Sequence, residues 1–157
     1  MRAKIQGLSQ VSERVPLVEG LYRARVVRFE FAGHSAKPCR AVTFLLLDPP
    51  RYASRYVRTR LYLHERALWK LRWFLTDFGY DSDLFNADEL DDRRVIGLEG
   101  VIRLAHWGTD GHRRLDVEGF AAISRWEELS RPKASRTGSL GNPIFHPERK
   151  DLNTGRR

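Results

Sequence analysis

The sequence predicts a mainly β protein with five strands and one α-helix between strands 3 and 4. Five segments show either the apolar–polar alternation of a half-buried strand or the near-continuous apolar run of a buried one. After the third of these segments, apolar residues recur instead at helical spacing through 64–80, and Gly79 is well placed to end that helix. Three strands, a helix and two strands therefore follow one another along the chain.

Each predicted strand has a local signature. The strands are expected at 21–31, 40–48, 56–63, 93–107 and 113–124. The alternation of the first strand slips at Val26 and Val27, as it would at a β-bulge. The second strand is almost wholly apolar, so the sequence leaves open which of its faces is outward. Gly97 and Gly100 are expected to help the fourth strand bend, and short helical turns are expected at 86–92 and 125–129.

This order of elements matches the OB-fold, a five-stranded Greek-key barrel. A five-stranded open sheet with the helix on one face has the same order, so both topologies stay open. The domain is expected at residues 20–129, after an N-terminal arm at 1–19. Residues 130–157 contain seven Lys or Arg and two Asp or Glu and are rich in Pro and Gly, which predicts a basic, disordered tail.

Composition restricts the classes of partner and site. The chain has 28 Lys and Arg against 20 Asp and Glu, a net charge of +8, which favours a polyanionic partner such as nucleic acid. Cys39 is the single cysteine, which excludes an intramolecular disulfide and a four-cysteine zinc site. The N-terminal residues lack the apolar run of a signal peptide, and no segment approaches the ~20 apolar residues of a membrane span. We therefore expect a cytoplasmic protein.

Four phrases of the sequence, taken in order, carry a resemblance to a family. They are "LVEGLYRARVVRFE", "RAVTFLLLD", "LHERALWKLRWFLTDFGYD" and "LEGVIRLAHWGTDGHRRLDVEGF". Together they resemble small OB-fold single-stranded-DNA-binding-like proteins of phages and mobile elements, over roughly residues 16–124. The resemblance implies a role in DNA replication or recombination. Housekeeping single-strand binders end in an acidic tip that recruits partners, whereas this chain ends in "NTGRR".

The third strand supplies the strongest candidate site. One face of this strand carries Tyr56, Arg58, Arg60 and Tyr62. Val57 is the first residue of the opposite face. An OB-fold holds a single strand across strands 2 and 3 and the neighbouring loops, with bases stacked on aromatic rings and cations along the phosphates. The full predicted nucleic-acid-binding set is Lys37, Arg51, Tyr52, Arg55, Tyr56, Arg58, Arg60, Tyr62, Trp107, His112, Arg113 and Arg114. The alternative is that these are ordinary strand-face residues, since Tyr favours strands and Arg stays solvated.

Two further features have several interpretations. Trp69 and Trp73 lie opposite the leucine stripe of the helix, so they are covered by the arm or by 142–145, form a self-association surface, or bind nucleic acid. Between Asp77 and Asp92 there are seven carboxylates and no Lys or Arg. These are expected to be a solvated loop or helix start, with docking of the basic tail or a protein partner, or a metal site, as alternatives.

The sequence thus predicts a sequence-tolerant single-stranded-DNA-binding protein of phage or mobile-element replication or recombination. The alternative is a protein-interaction or assembly subunit with an OB-type barrel in a larger nucleoprotein complex. RNA stays an alternative ligand, because stacking does not sense the 2′-hydroxyl. No HExxH, GxSxG or P-loop motif is present, so we expect no enzyme activity, no cofactor and no metal.

Overall fold

Five antiparallel strands form a single sheet in the computed structural model, which describes residues 1–10, 15–109 and 111–131. The strands are β1 (Gly20–His34), β2 (Lys37–Asp48), β3 (Tyr56–Tyr62), β4 (Glu99–Trp107) and β5 (Arg114–Ala122). Their order across the sheet is β3–β2–β1–β4–β5. The prediction of a mainly β protein with five strands is confirmed. In the described part of the chain, however, no backbone ladder joins β3 to β5, so the sheet is not a closed barrel.

Three helices, rather than the single predicted one, lie between β3 and β4. They are α1 (Leu68–Asp77), α2 (Ser82–Asn86) and α3 (Asp92–Val95), and α4 (Trp126–Ser130) follows β5. The side chain of Asp81 accepts the first backbone N–H groups of α2, and that of Asp91 accepts one from α3. α2 thus begins before the helical turn expected at 86–92, and α3 begins where a strand was expected to start at Arg93. The expected bounds of both elements were wrong.

The predicted bulge in β1 is confirmed. The pairing of β1 with β2 shifts between Val26 and Arg28. At this point the N–H of Val26 donates to the carbonyl of Leu98 at 2.9 Å, and the N–H of Gly97 donates to the carbonyl of Val26 at 2.8 Å. Gly97 lies before β4, with φ of +94°, so it shapes the approach to that strand and not its interior as expected.

The core lies between the inner face of the sheet and α1. Val42, Phe44 and Leu46 of β2 are fully buried on this face. Phe44 lies 5.8 Å from the ring of Phe74 on α1, and Phe74 in turn lies 5.3 Å from Phe120 on β5. The orientation that the sequence left open is thus fixed: the other face of β2 is the outer face of the sheet.

Helix length bears on one further expectation. None of the helices among the described residues is both long enough and apolar enough to cross a membrane. The predicted tail lies, apart from its first two residues, outside the described residues.

Candidate nucleic-acid interface

β3 separates its side chains into two faces, as its alternation predicts. Val57, Thr59 and Leu61 are buried, whereas Tyr56 has 66% of its surface exposed. Arg58 and Arg60 are exposed beside it, and Tyr62 at the end of the strand is half-buried. These four residues of β3 therefore share one surface, on the side of the sheet away from α1.

The pairing of the strands defines the rest of this surface. Residues that face each other across antiparallel strands point to the same side of a sheet. We call this surface the outer face. Over the stretch in which β1, β2 and β3 are all paired, its members are Arg25, Arg28, Glu30, Ala32, Cys39, Ala41, Thr43, Leu45, Tyr56, Arg58, Arg60 and Tyr62. The middle strand contributes small or apolar side chains, and the two flanking strands contribute the long charged and aromatic ones.

The floor formed by β2 explains how an apolar strand tolerates an outward face. Ala41 is 1% exposed and Cys39 is fully buried, although both belong to the outer face. Ala41 lies between Glu30 and Arg60 in the pairing, and Cys39 lies between Ala32 and Tyr62. The long side chains of the neighbouring strands thus shield the floor from water, and a partner is not needed to cover it.

The outer face carries positive charge that its own carboxylates do not neutralise. Arg25 pairs with Glu99 of β4 at 2.9 Å, while Arg58 lies 3.9 Å from Glu30. Arg28 and Arg60 are exposed and pair with no carboxylate of the described residues. Ion pairs between half-exposed groups contribute ~0–1 kcal/mol, so the contact between Arg58 and Glu30 leaves both groups available to a ligand.

One end of β3 gathers further predicted residues. The ammonium of Lys37 lies 5.4 Å from the centre of the Tyr62 ring, a cation–π distance. The ring of His64 lies 6.2 Å from that of Tyr62. Lys37 is the first residue of β2 and not part of a long loop, because a two-residue turn joins His34 to it. Lys37 and Tyr62 therefore extend the outer face as one unit.

The connection between β2 and β3 departs from the prediction at Tyr52. This ring is 6% exposed and packs edge-on against Tyr22 at 5.5 Å, so it belongs to the core and cannot stack on a base. Arg51 is exposed, with its guanidinium 5.3 Å from the Tyr52 ring. Arg55 is half-buried and donates to the carbonyl of Val15 at 2.7 Å. Of the three predicted residues in this connection, Arg51 and Arg55 stay at least partly accessible.

The connection between β4 and β5 lies at the opposite end of β1 from Lys37. Gly20, at the start of β1, pairs with Leu104 near the end of β4, whereas His34 at the other end pairs with Lys37. Trp107 is 48% exposed here. His112, Arg113 and Arg114 are also exposed and belong to this connection. The pairing of the strands thus does not bring all the predicted residues into one groove: the β4–β5 residues form a second basic, aromatic cluster.

Residues 15–19 contact both the β2–β3 connection and the end of β4. Glu19 accepts the backbone N–H of His106 at 2.7 Å and lies 3.0 Å from its ring Nδ1. The backbone N–H of His106, followed by its ring, holds the pKa of Glu19 below the usual range of a glutamate. The carbonyl of Val15 accepts from Arg55. This part of the predicted arm therefore satisfies two of the basic side chains near the candidate interface.

The tryptophan pair of α1 is covered within the fold. Trp73 is 8% exposed, and its ring meets Phe120 of β5 edge-on at 5.6 Å. Trp69 is half-buried and stacks on Trp73 at 6.0 Å, and the indole N–H of Trp73 donates to Asp77 at 3.0 Å. Phe120 of β5 thus provides cover for Trp73, and residues 142–145 lie outside the described residues. Self-association through this pair stays a prediction.

The acidic run between Asp77 and Asp92 agrees with the interpretation as a helix start. Besides capping α2, Asp81 pairs with Arg94 at 2.8 Å, and Asp92 lies 3.3 Å from Arg40. Across residues 1–10, 15–109 and 111–131, no group of three or more His, Cys, Asp or Glu side chains could hold a metal ion. Asp81 and Asp92 thus have structural partners among nearby arginines. Docking of the basic tail here concerns residues outside the described part of the chain.

Three outer-face residues were missed by the sequence analysis. Arg25, Arg28 and Glu30 of β1 join the face through their pairing with β2. The bulge at Val27 returns Arg28 to the side of the sheet that Arg25 occupies, so strict alternation would have misplaced one of them. The slip in alternation, taken together with strand pairing, is the signal that could have found them.

No protein-family model matches the chain, and no curated protein matches it.

Proposed function

We propose that this protein binds single-stranded DNA along the outer face of β1, β2 and β3. The observation that carries the proposal is the arrangement on β3: an aromatic ring at each end of the face and two exposed arginines between them. Tyr56, the most accessible of the rings, has 66% of its surface exposed. Aromatic rings and cations on one accessible surface provide both interactions that a sequence-tolerant single-strand binder uses.

The proposal gives separate roles to the tyrosines and the arginines. Tyr56 and Tyr62 are six positions apart on a strand, about 20 Å at 3.3 Å per residue, so they stack on different bases. Arg28, Arg58 and Arg60 lie between and beside them and neutralise phosphates. Bases inside a duplex present no free ring face to these tyrosines. A preference for single strands follows from that difference.

The fold that we propose for this binding surface is a partly open OB-type barrel. The strand order leaves β3 and β5 as the two edges, and the hydroxyl of Thr59 on β3 donates to Asp116 on β5 at 2.7 Å. Side chains thus connect the two edges where no backbone ladder does. In OB-folds the face of strands 2 and 3 is the usual site for oligonucleotides. A role in phage or mobile-element replication or recombination follows from the sequence resemblance.

The test is fluorescence anisotropy with a labelled oligo-dT and a duplex of the same length, each at two salt concentrations. We expect the full-length protein to prefer the single strand. Replacing both Tyr56 and Tyr62 with Ala should weaken oligo-dT binding by ~1–3 kcal/mol for each stacked base lost. The matched control is Phe31→Ala, which removes a ring that is 59% exposed but lies on the other face of the sheet. That control should bind like the unchanged protein.

Each alternative gives a different result in the same experiment. Unchanged affinity in the folded double variant would overturn the proposal. Equal binding to both nucleic acids, lost when the chain is ended at Arg131, would favour the assembly subunit with a polycationic tail. An oligo-U that binds as well as oligo-dT would extend the proposal to RNA.

A further inference from the structure

We propose that Glu30 makes the outer face discriminate between bases, favouring cytosine over thymine. This inference rests on the proposed single-strand binding and adds a specificity-determining residue to it. Among the twelve outer-face residues, Glu30 is the carboxylate, and six of the remaining eleven are Arg or Tyr. A negative charge at the centre of a surface for a polyanion requires an account of what it contacts.

The position of Glu30 is central and open. It lies on β1 in the same cross-strand row as Ala41 of β2 and Arg60 of β3. Its side chain is 46% exposed, and the nearest guanidinium, that of Arg58, is 3.9 Å away with 52% exposure. So exposed a pair at this distance contributes ~0–1 kcal/mol. A ligand group can therefore replace Arg58 as the partner of this carboxylate at little cost.

Charge decides which part of a nucleotide passes Glu30. A phosphate beside the carboxylate is repelled, while Arg28 on the same strand and Arg58 across the sheet attract it. The bases, rather than the backbone, are thus directed towards Glu30.

The chemistry of the carboxylate then selects among bases. An ionised carboxylate only accepts hydrogen bonds. Cytosine presents an amino donor at N4, whereas thymine presents the O4 acceptor at the corresponding position. The amino group of cytosine donates to Glu30, whereas O4 of thymine places one acceptor against another. Adenine carries an amino group at N6, so Glu30 favours it in the same way as cytosine.

The test compares oligo-dC with oligo-dT of equal length by competition anisotropy at neutral pH, with the full-length chain. We expect the unchanged protein to bind oligo-dC at least about threefold more tightly, a modest share of what a good base contact provides. In Glu30→Gln the amide both donates and accepts, so the ratio should fall towards one while oligo-dT binding strengthens. Glu30→Ala, which removes the acceptor, should also abolish the ratio. The charge-matched control is Glu127→Gln on α4, which should keep it.

The outcomes separate this inference from the function on which it rests. If both oligonucleotides bind with equal affinity, or if the preference for oligo-dC survives in Glu30→Gln and Glu30→Ala, the assignment to Glu30 is overturned and single-strand binding stands. A uniform gain in affinity for both oligonucleotides in Glu30→Gln, with the ratio unchanged, also overturns it, since the carboxylate would then act through charge alone. If neither oligonucleotide binds, the proposed function fails.

Discussion

The contact with His106 lowers the pKa of the Glu19 carboxyl group. Its pKa lies below the ordinary value of 4.5, first because the backbone N–H of His106 donates to it and second because the His106 ring does. A pKa that is lower in the folded than in the unfolded state means that this contact stabilises the fold above pH 4.5. The contribution is lost as the pH falls through the folded-state pKa.

We therefore predict that an NMR titration of the Glu19 carboxyl carbon has its midpoint below 4.5. In His106→Ala the ring is lost but the backbone N–H remains, so the midpoint should rise only part of the way. Glu127, on the exposed surface of α4, provides the comparison in the same spectra. A complete return to the ordinary value in His106→Ala would show that the ring, not the backbone, holds the charge.

Single residues differ in how well the sequence predicts their exposure. Tyr56 could be placed outward because it belongs to a strand whose neighbours alternate. Tyr52 could not, because it ends a 3₁₀ turn, Pro50–Tyr52, that directs the ring towards Tyr22. A turn of three residues is too short to show a periodicity from which the direction of a side chain could be predicted. Aromatic and basic composition marked this connection as part of the site, but only tertiary packing decides which side chains reach the surface.

At the scale of elements, the junction between α1 and β4 depends on a missing side chain. A Cβ added to Gly100 would lie 2.6 Å from the ring of Phe78, which is 3% exposed just after α1. The expected role of Gly100 in bending the strand is thus accompanied by a packing requirement. Because the ring is enclosed, it cannot move aside without disturbing the core.

Gly100→Ala should accordingly destabilise the protein by ~1–3 kcal/mol, the usual cost of overpacking. Chemical denaturation measures it as a lower midpoint with an unchanged slope. Adding Phe78→Leu should cost less in the Gly100→Ala background than alone, because the smaller side chain relieves the clash. Strictly additive losses would indicate that the two positions do not meet.

The sequence predicted long elements better than short ones. The strands β1, β2, β3 and β5 appear close to their expected positions because each is long enough for a pattern in burial to show. The helices α2 and α3 have five and four residues, too few for a helical period. Their signals were instead the capping aspartates, which had been interpreted together as one acidic run. Single capping residues specify where a helix begins, and charge counting over a segment hides them.

At the scale of the whole molecule, a part-buried hydrogen bond joins the two edges of the sheet. Thr59 on β3 is 4% exposed, and its hydroxyl donates to Asp116 on β5 at 2.7 Å. The same carboxylate oxygen accepts the backbone N–H of Val117 at 2.7 Å. Nothing in the sequence predicted this pair, since 57 positions separate its members and no local pattern marks either. The choice between barrel and open sheet depends on such long-range contacts.

Thr59→Val tests how much this contact holds the two edges together. Val preserves the shape of Thr but removes the donor, so we expect a loss of ~1–2 kcal/mol of unfolding free energy, because hydrogen bonds to charged groups are among the stronger ones. Hydrogen exchange should also become faster at the facing edges of β3 and β5 than in β1 and β2. The matched control is Thr43→Val on the outer face of β2, where the threonine hydroxyl has no hydrogen-bond partner among the described residues. If both substitutions cost the same and exchange is unchanged, the two edges of the sheet are held by apolar packing alone, and the hydroxyl of Thr59 does not contribute.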